Sequence, residues 1–238
     1  MNFLSAASNL QINLTGHQVE QFDLLYREMI NWNLKTNLTT ITERSDVEIK
    51  HFIDSLTVSL GVNYFKSKES YKVIDIGSGA GFPGIPLKIV FPHLSLTLVD
   101  SNVKKCSFLE HIIKTLDLVN IHVLHDRAEN IARNPIYRDQ YDVVLSRALA
   151  KLNILIELCL PFCNNNGCFI ALKKGGIDAE LNQAKFALDE IGGRIRDIIP
   201  VSIPQFEDKR HVIVIEKFMS TPAKYPRRPG MPSKKPLK

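Results

Sequence analysis

The apolar positions of this chain change period near residue 70. Upstream they recur at helical spacing. In "HQVEQFDLLYREMINWNL", Val19, Phe22, Leu25, Met29 and Trp32 fall on one helix face. Thr15 with Gln18 makes a capping-box pattern ahead of it. After a polar break, "KTNLTTITERS", Ser45 with Glu48 offers a second box and "DVEIKHFIDSLTVSLGV" reads as a second helix.

From Tyr71 short apolar runs alternate with helical segments. Strands are predicted at 72–77, 94–101, 120–126, 141–146, 168–172, 194–202 and 210–218. Helices are predicted at 84–91, 103–117, 128–135 and 152–162, and at 179–193 before the last two strands. This alternation predicts an α/β fold with a parallel, doubly wound sheet, and its ending fits an antiparallel final strand. Three parts follow: a helical extension packed on the core over 1–65, the α/β core over 66–219, and a tail over 220–238. The tail holds Pro222, Pro226, Pro229, Pro232 and Pro236 and reads as extended and flexible, ordering only on contact.

Composition narrows the class. The chain has 238 residues, 45% of them hydrophobic and 23% charged, as in an ordinary soluble protein. No apolar run approaches the ~20 residues of a membrane span. The first residues lack a basic n-region and an apolar h-region, so a secretory signal is not expected and a cytoplasmic protein is; a monomer is the default expectation. Cys106, Cys159, Cys163 and Cys168 form no C-x-x-C pair and read as buried hydrophobes in a reducing compartment. His51 reads as a packing or surface residue, and no metal site is expected. The net charge of +5 is uneven: from Lys217 onward there are seven basic residues and no acidic one. Such an end suits a polyanionic partner through counterion release, or is a solvated tail.

The chemistry concentrates in "VIDIGSGAGFPGIP", residues 73–86. Read from Gly79, the loop satisfies the dinucleotide fingerprint G-x-G-x-x-G, which implies an NAD(P) oxidoreductase. Read from Asp75, it satisfies the glycine loop of S-adenosylmethionine enzymes. Asp75 discriminates. A carboxylate at this strand end repels a pyrophosphate but attracts an ammonium and a sulfonium. Asp100, at the end of the next strand, is placed as a ribose-hydroxyl acceptor, or as the N-cap of the following helix. Asp126, Ala128 and Glu129 follow the third strand, where an adenine ring commonly lies, or one of them caps the next helix. A class I methyltransferase is therefore favoured over an oxidoreductase.

The acceptor is constrained by what is missing. The fourth strand ends in "VVLSRALA", without Asn/Asp-Pro-Pro-aromatic, and no cysteine stands where a covalent nucleophile is needed. Guanine N7 needs neither, because its lone pair is free and no proton must leave. The site then needs cations: Arg127, Arg147, Lys173 or Lys174, Arg210 and His211 are candidates for phosphates or a guanine edge, or are surface residues. Asp54 and Ser55 are candidates for closing the cofactor cleft.

The segments "NLTTI", "HFIDSL", "VIDIGSGAGFPGIPL", "LTLVDSNVKKCSFL", "DRAEN", "SRALA", "ALKKG" and "RHVIVI" match, in order, a known family. The chain resembles the bacterial ribosomal RNA small subunit methyltransferase G family, also called glucose-inhibited division protein B. The resemblance implies a class I, Rossmann-like S-adenosylmethionine-dependent enzyme with a seven-stranded, mostly parallel sheet. Its partner would be 16S rRNA, the small ribosomal subunit or an assembly intermediate, methylated at N7 of one guanosine near the decoding centre. Cofactor positions carry over to Asp75, Gly77, Gly79, Gly81, Phe82, Asp100, Ala128, Glu129 and Arg147. RNA-contacting cations map to Arg127, Arg147, Lys173, Arg210 and His211, with Arg147 also positioning the reacting groups. A ribosome-binding protein without turnover remains a third reading.

Overall fold

The Thr15–Gln18 box closes in both directions: Gln18 N donates to Thr15 Oγ1 at 3.3 Å and Thr15 N to Gln18 Oε1 at 3.0 Å. Helix α2 (Gly16–Thr36) begins there, behind the short α1 (Phe3–Asn9). The structure is a computed structural model that describes residues 3–62, 65, 67, 69–147 and 150–238. Ala148 and Leu149 of the "SRALA" match lie outside the described residues.

The helix expected over 46–62 is broken into pieces. α3 (Arg44–Val47) runs into a π-helical turn (Glu48–Ile53), then α4 (Asp54–Leu56) and a 3-10 turn (Thr57–Leu60). The Ser45–Glu48 box does not form. The N-cap is Glu43, without a side-chain bond, and Glu48 instead accepts from Arg44 Nε at 2.9 Å. Hydroxyls crowd this stretch: Ser55, Thr57 and Ser59 donate to the carbonyls of His51, Asp54 and Leu56 at 2.6, 2.6 and 2.8 Å. Such local bonds compete with a regular helical ladder.

The α/β core follows the predicted alternation. Its elements are β1 (Lys72–Ile76), α5 (Gly84–Val90), β2 (Ser95–Asp100), α6 (Val103–Thr115), β3 (Ile121–His125), α7 (Ala128–Ile131), β4 (Tyr141–Arg147) and α8 (Leu152–Cys159). They continue with β5 (Cys163–Lys174), α9 (Asp178–Ile191), β6 (Gly193–Val201), β7 (Arg210–Lys217) and α10 (Met231–Lys234). Among the described residues seven strands order as β3-β2-β1-β4-β5-β7-β6, with β7 antiparallel to both neighbours. This is the Rossmann-like sheet with an antiparallel last strand that the sequence predicts. β5 starts earlier than expected because its first turns are polar "NNNG", which an apolar pattern cannot mark.

Both sheet faces are covered, and residues alternate between them. Val73, Val143, Val212 and Val214 join a core shared with Phe22, Leu25 and Met29 of α2. Ile74, Val144, Ile213 and Ile215 join a second core under α8 and α9. Burial on two faces explains why the central strands read as unbroken apolar runs.

The tail corrects an expectation. It is a strap folded along α7 and α8, not a free extension. Arg138 donates to Tyr225 O and Thr221 O at 2.8 Å each, and Arg133 to Pro226 O at 2.8 Å. Arg227 forks onto Glu157 at 2.8 and 2.6 Å, and Asn153 donates to Leu237 O at 2.8 Å. Tyr225 and Leu237 are buried in the second core. A charge and proline count misses this because the partners lie 70 or more positions away. Three of the seven basic residues serve the fold: Lys217 pairs with Asp139, Lys224 with Glu190 and Arg227 with Glu157.

Candidate active site

The glycine loop is built on Ser78 and Asp75. Gly77 N and Ser78 N both donate to Val99 O, at 2.9 and 3.0 Å, which ties β1 to β2. Ser78 Oγ donates to Asp75 O at 2.9 Å and accepts from Val99 N at 3.2 Å. Asp75 is wholly buried; its Oδ2 accepts from Gly84 N at 3.0 Å, at the start of α5. A Cβ on Gly84 would sit 2.5 Å from Leu98 and 3.0 Å from that oxygen, so glycine permits the contact. Gly79 has φ +60° and donates to Asp100 Oδ2 at 2.9 Å, while Asn102 N donates to Oδ1 at 2.8 Å. Asn102, not Asp100, caps α6.

A cavity of about 640 Å³ opens over this loop, a size suited to a nucleoside cofactor. Gly77, Gly79, Phe82, Asp100, Ala128 and Glu129 line it, and so do Arg127 and Arg147. Asp75 and Gly81 do not; they stand behind the wall. Gly81 has φ +89°, and a Cβ there would meet Ile85 at 2.5 Å. Asp75 Oδ1 is buried without a hydrogen-bond partner among the described residues. Desolvation, partly offset by the Gly84 N–H and by Arg147, raises the Asp75 carboxyl from 3.8 to about 7. A cation in the cavity favours the ionised form of this buried carboxyl, whereas a pyrophosphate opposes it. The residues present therefore fit S-adenosylmethionine.

A second cavity, of about 800 Å³, adjoins the first. The two share Leu38, Thr39, His51, Arg147 and Ala150. Arg147 is the centre of this partition. Its Nη1 donates to Lys50 O and to Asp54 Oδ2 at 3.0 Å each, its Nη2 lies 3.2 Å from His51 Nδ1, and its guanidinium sits 5.0 Å from the Phe82 ring centroid. Arg147 can only donate, so His51 Nδ1 accepts and the ring hydrogen is on Nε2, which donates to Thr39 Oγ1 at 2.8 Å. His51 stacks on Phe82 with centroids 4.7 Å apart. Burial, and then Arg147, lowers the imidazole from 6.5 to about 3, so it is neutral in water near neutrality. Asp54 bridges two cations, with Oδ1 accepting from Arg210 Nη1 at 2.6 Å.

The predicted cations divide. Arg147 joins both cavities. Arg127 is half exposed at the first cavity, 3.4 Å from Glu129. Lys173 lines the second cavity but is paired with Glu180 at 2.7 Å and Ala150 O at 2.9 Å. Lys174, beside it, has no ion-pair partner among the described residues and is the exposed lysine of the two. Arg210 is buried between Asp54 and Asp208. His211 lines neither cavity. The sequence assigned His51 to packing or the surface and Asp54 to closing the cleft, and gave Thr39 no role of its own; His51 does pack, on Phe82, but it also contacts Arg147. His51 and Asp54 are three apart, a spacing that offered a weak signal.

The sequence model of the family described as rRNA small subunit methyltransferase G matches residues 18–213. The protein named Ribosomal RNA small subunit methyltransferase G from Oceanobacillus iheyensis is 43% identical over 235 residues, covering 99% of this chain and 98% of its own. Its namesake from Macrococcus caseolyticus is 44% identical over 237 residues, covering 100% and 98%. Among solved structures, a SAM dependent methyltransferase from Aquifex aeolicus superposes with TM-score 0.55 at 16% identity, over 76% of this chain and 97% of that one. M. jannaschii TYW2 in complex with AdoMet gives TM-score 0.51 at 20% identity, over 64% and 72%. These two share the fold. The sequence matches select the loop register that begins at Asp75, and the nicotinamide alternative falls. The chain belongs to the rRNA small subunit methyltransferase G family, enzymes that use S-adenosylmethionine to methylate rRNA.

Proposed function

We propose that this protein methylates N7 of one guanosine in 16S rRNA, on the small subunit or an assembly intermediate. The first cavity is read as the cofactor site and the second as the acceptor site. The observation that carries this reading is the lining of the acceptor cavity: among the described residues it holds no group free to take a proton. Asp54 is held by two arginines, Glu180 by Lys173, and both His51 nitrogens are engaged. An acceptor that must first lose a proton has no base there. Guanine N7 has its lone pair ready.

Bound over Gly77, Gly79 and Asp100, S-adenosylmethionine would supply an electrophilic methyl on a sulfonium, which N7 would accept with its own lone pair while the C–S bonding pair stayed with sulfur and the positive charge passed to the base. No proton moves. The chain's part is positioning. Asp100, with Gly77 and Gly79, holds the nucleoside, and Ala128 and Glu129 flank its base. Phe82 and His51 form a stacked floor, and Arg147 holds the partition between cofactor and acceptor. Lys174, and Lys50 beside its ion pair with Asp46 at 2.9 Å, supply N–H donors for guanine O6 or a phosphate. Arg127 lies at the rim as a further phosphate contact, and Lys173 shapes the wall.

The test is methyl transfer from labelled S-adenosylmethionine to small subunits from a strain lacking this enzyme, mapped by cleavage at 7-methylguanosine. Label and cleavage at a single 16S guanosine are expected. Label that resists this cleavage would refute N7. Binding of subunits without label would favour the non-catalytic reading.

A further inference from the structure

The first cavity has a wall that does not come from the α/β core. Ser233, in α10, lines it beside Asp126, Arg127 and Ala128. Three residues upstream, Gly230 N donates to Glu129 Oε1 at 2.8 Å. The match to the family's sequence model ends at residue 213, so this segment lies beyond it. We infer that the C-terminal strap is part of the cofactor site: Gly230 positions the Glu129 carboxylate, and Ser233 completes the wall beside it.

The strap is held as a fixed part. Glu157, wholly buried in α8, spends both oxygens on Arg227: Oε1 accepts from its N and Nε at 2.9 and 2.8 Å, and Oε2 from its Nη2 at 2.6 Å. A buried carboxylate of this kind is costly unless paired, so the strap and α8 stabilise each other. Beyond Arg227 the chain turns at Gly230, with φ +80°. A Cβ there meets nothing, so the glycine serves the backbone turn that aims its N–H at Glu129. Further along, Asn153 fixes Leu237 O at 2.8 Å and Leu237 is buried. The segment from 227 to 237 is pinned at both ends, with the cavity wall between.

Glu129 gains an orientation from this. Its side chain is almost wholly buried, and its bonds from Gly230 and Arg127 both go to Oε1. Among the described residues nothing bonds to Oε2, which is left for a donor in the cavity that Glu129 lines. An acceptor held by a backbone N–H needs no reordering when a ligand arrives, which favours tight binding. The inference rests on S-adenosylmethionine occupying this cavity and is independent of the acceptor atom.

The experiment measures S-adenosylhomocysteine binding by calorimetry without RNA, using the full chain, Ser233→Trp, and a chain ending at Pro229. Ser233 is exposed, so the indole is tolerated by the fold but intrudes on the cavity. Both variants are expected to raise Kd about tenfold or more, and to raise KM for S-adenosylmethionine while leaving kcat within about threefold. A merely structural strap would lower Tm and leave the Kd of folded protein unchanged. A Kd within about twofold of the parent in Ser233→Trp, or in a folded chain ending at Pro229, overturns the proposal. If the shortened chain does not fold, Ser233→Trp decides alone. The KM and kcat readings need the RNA acceptor, but the calorimetry contains none, so its Kd outcome is separate from the N7 test.

Discussion

Two buried titrating side chains beside the cofactor loop pull stability in opposite directions. His51 is lowered to about 3, so the unfolded chain binds its proton first as pH falls. Its contribution is complete above 6.5 and declines between 6.5 and 3. Asp75 is raised to about 7, so the native state binds its proton first. Stability then rises as pH falls through 7 toward 3.8. Between about 4 and 6.5 the two nearly cancel, each with a slope of about 1.4 kcal/mol per pH unit. Single variants should expose the hidden slopes. His51→Gln is expected to be roughly 1–2 kcal/mol more stable at pH 5 than at pH 8, relative to the parent, and Asp75→Asn less stable by a similar amount. Urea midpoints at the two pH values test this. Parallel behaviour of both variants would show that these groups do not titrate as their burial dictates.

At the scale of elements, one carboxylate joins three pieces of the chain. Asp54 of α4 receives Arg147 from the end of β4 and Arg210 from the start of β7. The two guanidinium side chains are 13% and 5% exposed, so water replaces the lost carboxylate poorly. Asp54→Ala is expected to cost roughly 3–5 kcal/mol in urea unfolding, well beyond a surface ion pair. A loss below about 1 kcal/mol would mean the network is solvated. This hub also shows what a sequence reveals and what it hides. The glycine loop, the strand runs and the Thr15 box are local: each is decided by residues within a few positions. The Asp54 bonds span 93 and 156 positions, and no periodicity reports them. The same distance hid the docked strap, whose prolines and charges read locally as a free tail. The broken helix over 44–60 failed differently, because hydroxyl side chains at 55, 57 and 59 took backbone carbonyls that apolar spacing alone does not count.

For the whole molecule, the N-terminal helices are continuous with the catalytic core. Phe3 packs on Phe22 at 5.0 Å between centroids, Phe22 on Phe52 at 5.0 Å, Phe52 on Phe82 at 6.0 Å, and Phe82 carries His51 and Arg147. An aromatic path thus runs from α1 to the partition between the two cavities, inside a single core that also includes sheet residues Val73 and Val214. A separate helical domain would have its own core and would melt by itself. This arrangement instead predicts one transition. Trp32, the sole tryptophan, reports on the boundary: it sits in α2 against Phe108 of α6, with centroids 5.6 Å apart. Its fluorescence and the far-UV circular dichroism should change with one urea midpoint. Phe22→Ala should shift both together, by about 3–5 kcal/mol of stability. A tryptophan transition that precedes the loss of sheet signal would divide the molecule at α2. The helices would then be an appendage that can detach while the cofactor loop stays folded, and the stacked Phe82–His51 floor would need another source of support.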